Sequence, residues 1–379
     1  MRPPIFQKAF YFLIFTFVLG FLLFNLTLDI SHHQGYNQLV PLMKHNTSRT
    51  SEMNKRRQLI STNAPQHVTK KVVDCKGCKE VLAKAAKYYA EPWKLQDDNH
   101  QEFTFRLSSK CNGSEEAIIT QANTPLNSVI SFSGESRSKA DVTPALFDGF
   151  PKEHIFSSKK LDTCSVVGNG GILINSTCGK QIDSAQFVFR CNLPPVDKRF
   201  KMHVGNKTDL VTANPSIFYI KFAALNKNKT PQFLETMQAY GSSYLWLPAF
   251  SLRYNTKISI RAARVIKEFK SPIKPVFANP KYHKKLHSFW SSLGLREARL
   301  STGFMIVSLA LEVCKRVDLY GFWPFEIHPE RFNLLTNHYY DNVPAKKAFH
   351  AMPSEFERLL QLHSKGVLRI HLGDCQPDF

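Results

Sequence analysis

The chain has 379 residues, 43% hydrophobic and 12% aromatic, enough apolar material for a sizeable core and too much for wholesale disorder. Its 17 Gly and 21 Pro exclude a collagen-like repeat. Lys and Arg outnumber Asp and Glu 50 to 30, a formal +20 at pH 7, which attracts polyanions without saying which kind. The excess is spread along the chain with no arginine-rich arm, so nucleic acid is not an expected partner.

Arg2 and Lys8 precede an apolar run from Ala9 that extends to Leu28, the length a helix needs to span a bilayer. A cleaved signal peptide has a shorter apolar region of about 7–15 residues with a small-residue cleavage site behind it, and no A-x-A pattern follows here. Basic residues in front and Asp29 behind put the N-terminus in the cytosol. The reading is a tail over 1–8 and a type II signal anchor over 9–28, so everything beyond faces an oxidising lumen. Sequons at Asn46, Asn112, Asn175, Asn206 and Asn228 agree with that placement. Residues 29–74 are polar, without periodicity, and read as a flexible stem. Eight scattered Cys fit sparse disulfides. Cys75-Lys76-Gly77-Cys78 has the spacing of a zinc or redox motif, but no second pair or His cluster completes it; one of the two is expected to bond to Cys111.

A luminal domain is expected over 75–379. It opens on a helical pattern (Val81, Leu82, Ala85, Ala86, Tyr89) broken near Pro92. Residues 112–160 are loop-rich and carry no assignment. From Leu161 the texture changes to short β-rich runs, at Ser165–Gly168, Phe187–Cys191, Asp209–Thr212, Tyr244–Phe250, Pro275–Asn279, Val317–Phe322 and Leu368–Leu372. Helical spacing lies between them at Ser259–Phe269, Lys281–Leu293, Gly303–Lys315 and Pro353–His363; in the third, Phe304, Val307, Leu311 and Cys314 predict one buried face. Such alternation, with strands apolar on both faces, predicts a mostly parallel sheet flanked by helices, a Rossmann-like α/β domain.

Five segments carry candidate chemistry. Ser165-Val166-Val167-Gly168-Asn169-Gly170-Gly171 is a strand breaking into glycines, which permits a sharp turn or a close approach to phosphate or sugar. It departs from G-x-G-x-x-G, so a nicotinamide oxidoreductase has only this turn in its favour. Leu300-Ser301-Thr302-Gly303 opens an apolar helix; Ser and Thr are ordinary N-caps, and the same positive helix end can hold an anion. Gly321-Phe322-Trp323-Pro324-Phe325 and His338-Tyr339-Tyr340-Asp341 follow the penultimate strand, and His350 to Glu355 comes next. Histidine is the residue type suited to act as a base near pH 6–7, and two stand in these loops among Tyr and Trp. There is no Asp-x-Asp for a metal-bound sugar diphosphate, and no H-E-x-x-H, G-x-S-x-G or G-x-x-x-x-G-K-[ST].

These motifs, in this order, resemble those of the animal sialyltransferases (glycosyltransferase family 29). Cys164 to about Lys207 is similar to the large sialyl motif, Leu300–Phe322 to the small one, His338–Asp341 to motif III, and His350-x4-Glu355 to the very small motif. All lie within residues 160–375. The wording FRCNLPP, GFWPF, HYYDN and FHAMPSEF resembles the α-2,8 branch. The resemblance implies a variant Rossmann-like, GT-A-like fold and an inverting enzyme that takes CMP-sialic acid as donor and uses no metal or other cofactor. It implies His350 as the base; Asn169, Asn192, Ser301, Thr302, Gly303, Trp323 and His338 around the donor; disulfides Cys164–Cys314 and Cys178–Cys375; and an unpaired Cys191. Acceptors would be sialylated glycolipids or glycoproteins at the Golgi membrane. Val265–Leu300 holds eight Lys/Arg against Glu268 and Glu297, which leans towards mono- or oligosialylation. Sialyltransfer to galactose in α-2,3 or α-2,6 linkage and a silent glycan-binding protein on the same fold are the alternatives. Oligomeric state, including a homo-oligomer, is open in the sequence.

Overall fold

The computed structural model describes residues 79–375 apart from 90–91, 136, 157–158, 297, 342 and 344–351. They belong to the compact unit Val73–Phe379; the unit Met1–Val72 lies outside them. The anchor at 9–28, the stem, Asn46, Cys75, Cys78 and His350 therefore fall outside the described residues. Among the described residues no helix is long and apolar enough to cross a membrane.

Seven strands form one sheet: β1 Leu161–Val167, β2 Phe187–Arg190, β3 Leu210–Thr212, β4 Tyr244–Leu247, β5 Lys274–Phe277, β6 Cys314–Tyr320 and β7 Arg369–His371. Their spatial order is β5-β4-β3-β2-β1-β6-β7, and every neighbouring pair is parallel. The main helices are α1 Lys79–Tyr88, α2 Asp97–Cys111, α3 Arg253–Glu268, α4 Pro280–Ser292, α5 Thr302–Val313 and α6 Met352–Ser364. Both faces of the sheet are covered, as all-parallel strands require. Val166, Phe189, Leu210, Trp246 and Val276 join the core beneath α2, α4 and α5. Their neighbours Val211, Leu245, Leu247 and Phe277 turn to the opposite core beneath α3, the two-residue alternation of a strand.

The seven expected strands are all present, at slightly different bounds. Three expectations are corrected. Helix α5 is buried all round, from Ile306 through Val313 as well as at Phe304, where one apolar face was predicted. It also ends at Val313, and Cys314 opens β6, because the strand's ladder with β1 begins there (Leu161 opposite Cys314). Cys111 is a buried free thiol at the end of α2 rather than half of a disulfide. Burial first, and the neighbouring Glu312 second, push that thiol up to about 12. The segment read as irregular holds an antiparallel ribbon, Val129–Ser131 with Lys139–Asp141.

Two disulfides close long loops, Cys164–Cys314 and Cys178–Cys375, the pairs that the resemblance implies. Cys164 and Cys314 sit on the adjacent strands β1 and β6, so the first ties together the two strands that matter most for the site. The sequon residues Asn175, Asn206 and Asn228 are exposed, and Asn112 is half-buried in a left-handed conformation.

Candidate active site

The strand order reverses at one place. From β1 the chain winds outward through β2 to β5, then returns to place β6 on the other side of β1. In an open parallel sheet the crevice beyond the carboxyl ends of those two strands is where ligands bind. The loop after β1 is Gly168-Asn169-Gly170-Gly171 and the loop after β6 is Gly321-Phe322-Trp323, so two candidate segments meet at the switch point.

The glycines are there because the loops touch. Gly168 N–H donates to the Tyr320 carbonyl at 2.7 Å, and Gly170 N–H to the Gly321 carbonyl at 3.1 Å. A Cβ on either Gly168 or Gly170 would lie 2.7 Å from the Gly321 carbonyl oxygen, inside any real contact. A third segment joins them: Gly170 bridges His338, and Tyr339 N–H donates to the Asn169 carbonyl at 2.9 Å.

The asparagines are held by backbone partners that settle which amide atom points where. Asn169 Nδ2 donates to the Cys191 carbonyl at 2.7 Å, and its Oδ1 is buried without a partner. Asn192, in a left-handed conformation (φ 60°), accepts the Asn214 N–H on Oδ1 at 3.0 Å. A carbonyl can only accept and a backbone N–H can only donate, so neither side chain can be flipped. Asn169 thus offers an acceptor and Asn192 a donor. An orphaned buried acceptor costs about 1–3 kcal/mol, which an N–H or O–H of a bound molecule would recover.

Ser301 caps α5, its Oγ accepting Phe304 N–H at 3.1 Å. Its own N–H donates to Glu355 Oε1 at 2.6 Å, in a buried contact from α6. Thr302 and Gly303 carry the first N–H groups of a twelve-residue helix, the end with positive dipole character. Thr302 Oγ1 donates to Asn214 Oδ1 at 2.9 Å. A Cβ on Gly303 would lie 3.2 Å from the Phe322 ring and 3.9 Å from Cys191 Sγ, so the helix start is packed against the segments that follow β6 and β2.

His338 stacks face to face on Tyr340, ring centroids 5.1 Å apart. Asp341 accepts from its Nδ1 at 2.5 Å, which orients the ring and leaves Nε2 as the acceptor, with Asn337 Nδ2 3.3 Å from it. Trp323 lies deeper than a wall residue: it is 5% exposed, packed edge-on to Phe325 and Phe356, with its indole N–H on the Ile327 carbonyl. Asn169, Asn192, Ser301, Thr302, Gly303 and His338 are thus brought into one contact network, with Trp323 in its aromatic floor. His350 lies outside the described residues. Cys191 is buried and free, its thiol pushed up to about 12 by burial.

Three residues here carry roles that sequence reasoning did not assign: Asn214, Asp341 and Glu355. Asn214-Pro215 reads only as a helix start, and nothing in the sequence pairs it with Asn192 or Thr302.

Fold and site together define a doubly wound α/β protein with polar side chains and a helix N-terminus gathered at its switch point, where open parallel sheets bind nucleotide-type ligands. The family model of glycosyltransferase family 29 (sialyltransferase) matches residues 108–367. The chain is similar to alpha-2,8-sialyltransferase 8F of Mus musculus, 43% identical over 285 residues, 75% of this chain and 71% of that one. It is similar also to alpha-2,8-sialyltransferase 8E of Homo sapiens, 42% identical over 283 residues, 75% of each. A solved mammalian sialyltransferase in complex with Gal-beta-1-3GalNAc-ortho-nitrophenol aligns with 78% of this chain and 86% of its own, at 22% identity and a TM-score of 0.40. The chain belongs to glycosyltransferase family 29, the sialyltransferases.

Proposed function

We propose that this enzyme transfers sialic acid from CMP-sialic acid to the terminal sialic acid of a glycolipid or glycoprotein glycan, in α-2,8 linkage and with inversion. Its similarity to alpha-2,8-sialyltransferases 8F and 8E supports the linkage. The observation that carries the site is the junction of Asn169, Asn192 and the α5 N-terminus at the switch point. There an unpartnered buried acceptor on Asn169, the Asn192 amide and a positive helix end are drawn together by hydrogen bonds to Cys191 and Asn214.

His350 takes the proton from the acceptor hydroxyl. The freed oxygen attacks the anomeric carbon of the donor as the bond from that carbon to the phosphate oxygen breaks. CMP leaves with the electron pair. Thr302 and Gly303 N–H groups and His338 face the phosphate and stabilise the charge growing on it, a task that needs no metal. Asn169 and Asn192 hold the nucleotide. The protein acts at the luminal side of the Golgi membrane, held by residues 9–28.

The test uses the full-length protein with CMP-sialic acid, EDTA, and matched acceptors with and without terminal sialic acid. Product confined to sialylated acceptors and undiminished by EDTA is expected; product on asialo acceptors alone overturns the linkage. His350→Ala should abolish transfer while the melting temperature stays unchanged. Turnover like that of wild type would remove His350 from the mechanism.

A further inference from the structure

We infer that Asn214 is a positioning residue of the donor site, tying the large-motif asparagine Asn192 to the small-motif Thr302. Asn214 is the N-cap of the helix Pro215–Ile220, with the extended backbone of a cap (φ −67°, ψ 139°), yet its side chain makes no capping bond. That is an unusual use of a residue type favoured at N-caps for its capping oxygen. The oxygen instead reaches Thr302 Oγ1 at 2.9 Å, across 88 positions of sequence. The same residue's backbone N–H donates to Asn192 Oδ1 at 3.0 Å.

The consequence for the site is directional. Because Asn214 N–H occupies Oδ1, the group Asn192 has left to offer a ligand is its Nδ2 donor. Because Asn214 Oδ1 takes the Thr302 hydroxyl proton, Thr302 turns oxygen lone pairs outward and its rotamer is fixed at the first turn of α5. One residue therefore sets both the orientation of the group offered by β2's loop and that offered by α5. Among the described residues no hydrogen bond joins these two elements directly; the link runs through Asn214. This role rests on the reading of Asn192 and Thr302 as donor-binding groups.

A double-mutant cycle on the full-length protein tests it, with CMP as the probe and its dissociation constant measured by titration calorimetry. The variants are Asn214→Ser, Thr302→Val and both together. Serine keeps a good N-cap but is too short to reach Thr302, so the helix start is preserved. Wild type should bind CMP. Each single variant should bind it about three- to tenfold more weakly, the worth of one hydrogen bond, with the melting temperature little changed. The double variant should bind no worse than Thr302→Val alone, because both changes break one interaction. Thr302→Ser, which keeps the hydroxyl, should retain affinity near wild type. Multiplying single effects in the double variant, or an unchanged affinity in Asn214→Ser beside a weakened Thr302→Val, overturns the role given to Asn214. Failure of wild type to bind CMP overturns the donor-site reading itself, and the inference with it. Should Asn214→Ser not fold, Thr302→Val against Thr302→Ser still decides: equal affinities overturn the hydroxyl contact.

Discussion

A side chain at Gly321 would have nowhere to go. The residue sits at φ +73°, and a Cβ there would lie 2.7 Å from Leu173 Cδ1 and 2.8 Å from the Gly168 carbonyl oxygen. Gly241 has a similar φ of +57° but nothing within 4 Å of its would-be Cβ. The pair separates two costs. Gly241→Ala carries dihedral strain alone, about 1–2 kcal/mol. Gly321→Ala adds overlap with a backbone that cannot move without parting β1's loop from β6's, and should cost several kcal/mol together with most of the transferase activity. Thermal melts of the two variants decide it, and equal melting temperatures would sink the argument. The glycine run was legible in the sequence as a place of close approach. What approaches was not: the partner here is another strand-end loop, 153 positions away, and only the topology reveals it. Glu355 makes the same point from α6, since its bond to Ser301 N–H joins two motifs that the sequence keeps apart, with His338–Asp341 between them.

Helix α5 shows why burial is harder to read than helicity. Its apolar spacing predicted a helix correctly, and its two flanking layers, α2 and α4 on one side and the sheet on the other, bury what the sequence presents as a single face. The one acid inside it, Glu312, is 4% exposed and satisfied from two distant elements. Tyr282 Oη donates to Oε1 and Gly113 N–H to Oε2, both at 2.7 Å. Burial raises the Glu312 carboxyl above its ordinary range in spite of those bonds. Tyr282→Phe removes one donor and leaves a buried carboxyl oxygen unpaired, so it should cost about 1–3 kcal/mol while leaving donor affinity intact, because Tyr282 is remote from the crevice network. A melting temperature equal to wild type would show that the contact contributes nothing. By contrast α2 escaped the sequence reading for a plain reason. Two of its four buried positions are His100 and Thr104, so its inward stripe does not look apolar.

At the scale of the whole molecule the strand count was legible and the irregular segments were not, because parallel strands covered on both faces must be apolar throughout whereas a ribbon such as Val129–Ser131 with Lys139–Asp141 has polar, half-exposed positions. The same two-sided burial governs how the fold answers acid. His363, 2% exposed on α6, accepts the Ile370 N–H on Nδ1 at 3.1 Å. His154 accepts the Ile118 N–H on Nε2 at 3.2 Å. A ring nitrogen that accepts a backbone N–H cannot carry a proton without losing that bond, and burial, the largest cause at each, brings both imidazoles down to about 4. In the unfolded chain they take up protons near 6.5. Above that pH the two states hold equal numbers of protons at these sites, and stability is flat. Between 6.5 and about 4 the unfolded chain binds protons that the folded one refuses, so stability falls with acidification, by at most about 1.4 kcal/mol per pH unit for each histidine. Urea midpoints measured from pH 7.5 to 4.5 should therefore decline below pH 6.5, with protons taken up on unfolding. His363→Phe keeps the stacking on Tyr89, whose ring centroid is 4.6 Å away. It should be less stable at pH 7.5 through the lost Ile370 bond, yet decline less steeply with acid. A decline as steep as that of wild type would mean that His363 is not one of the groups that titrate on unfolding.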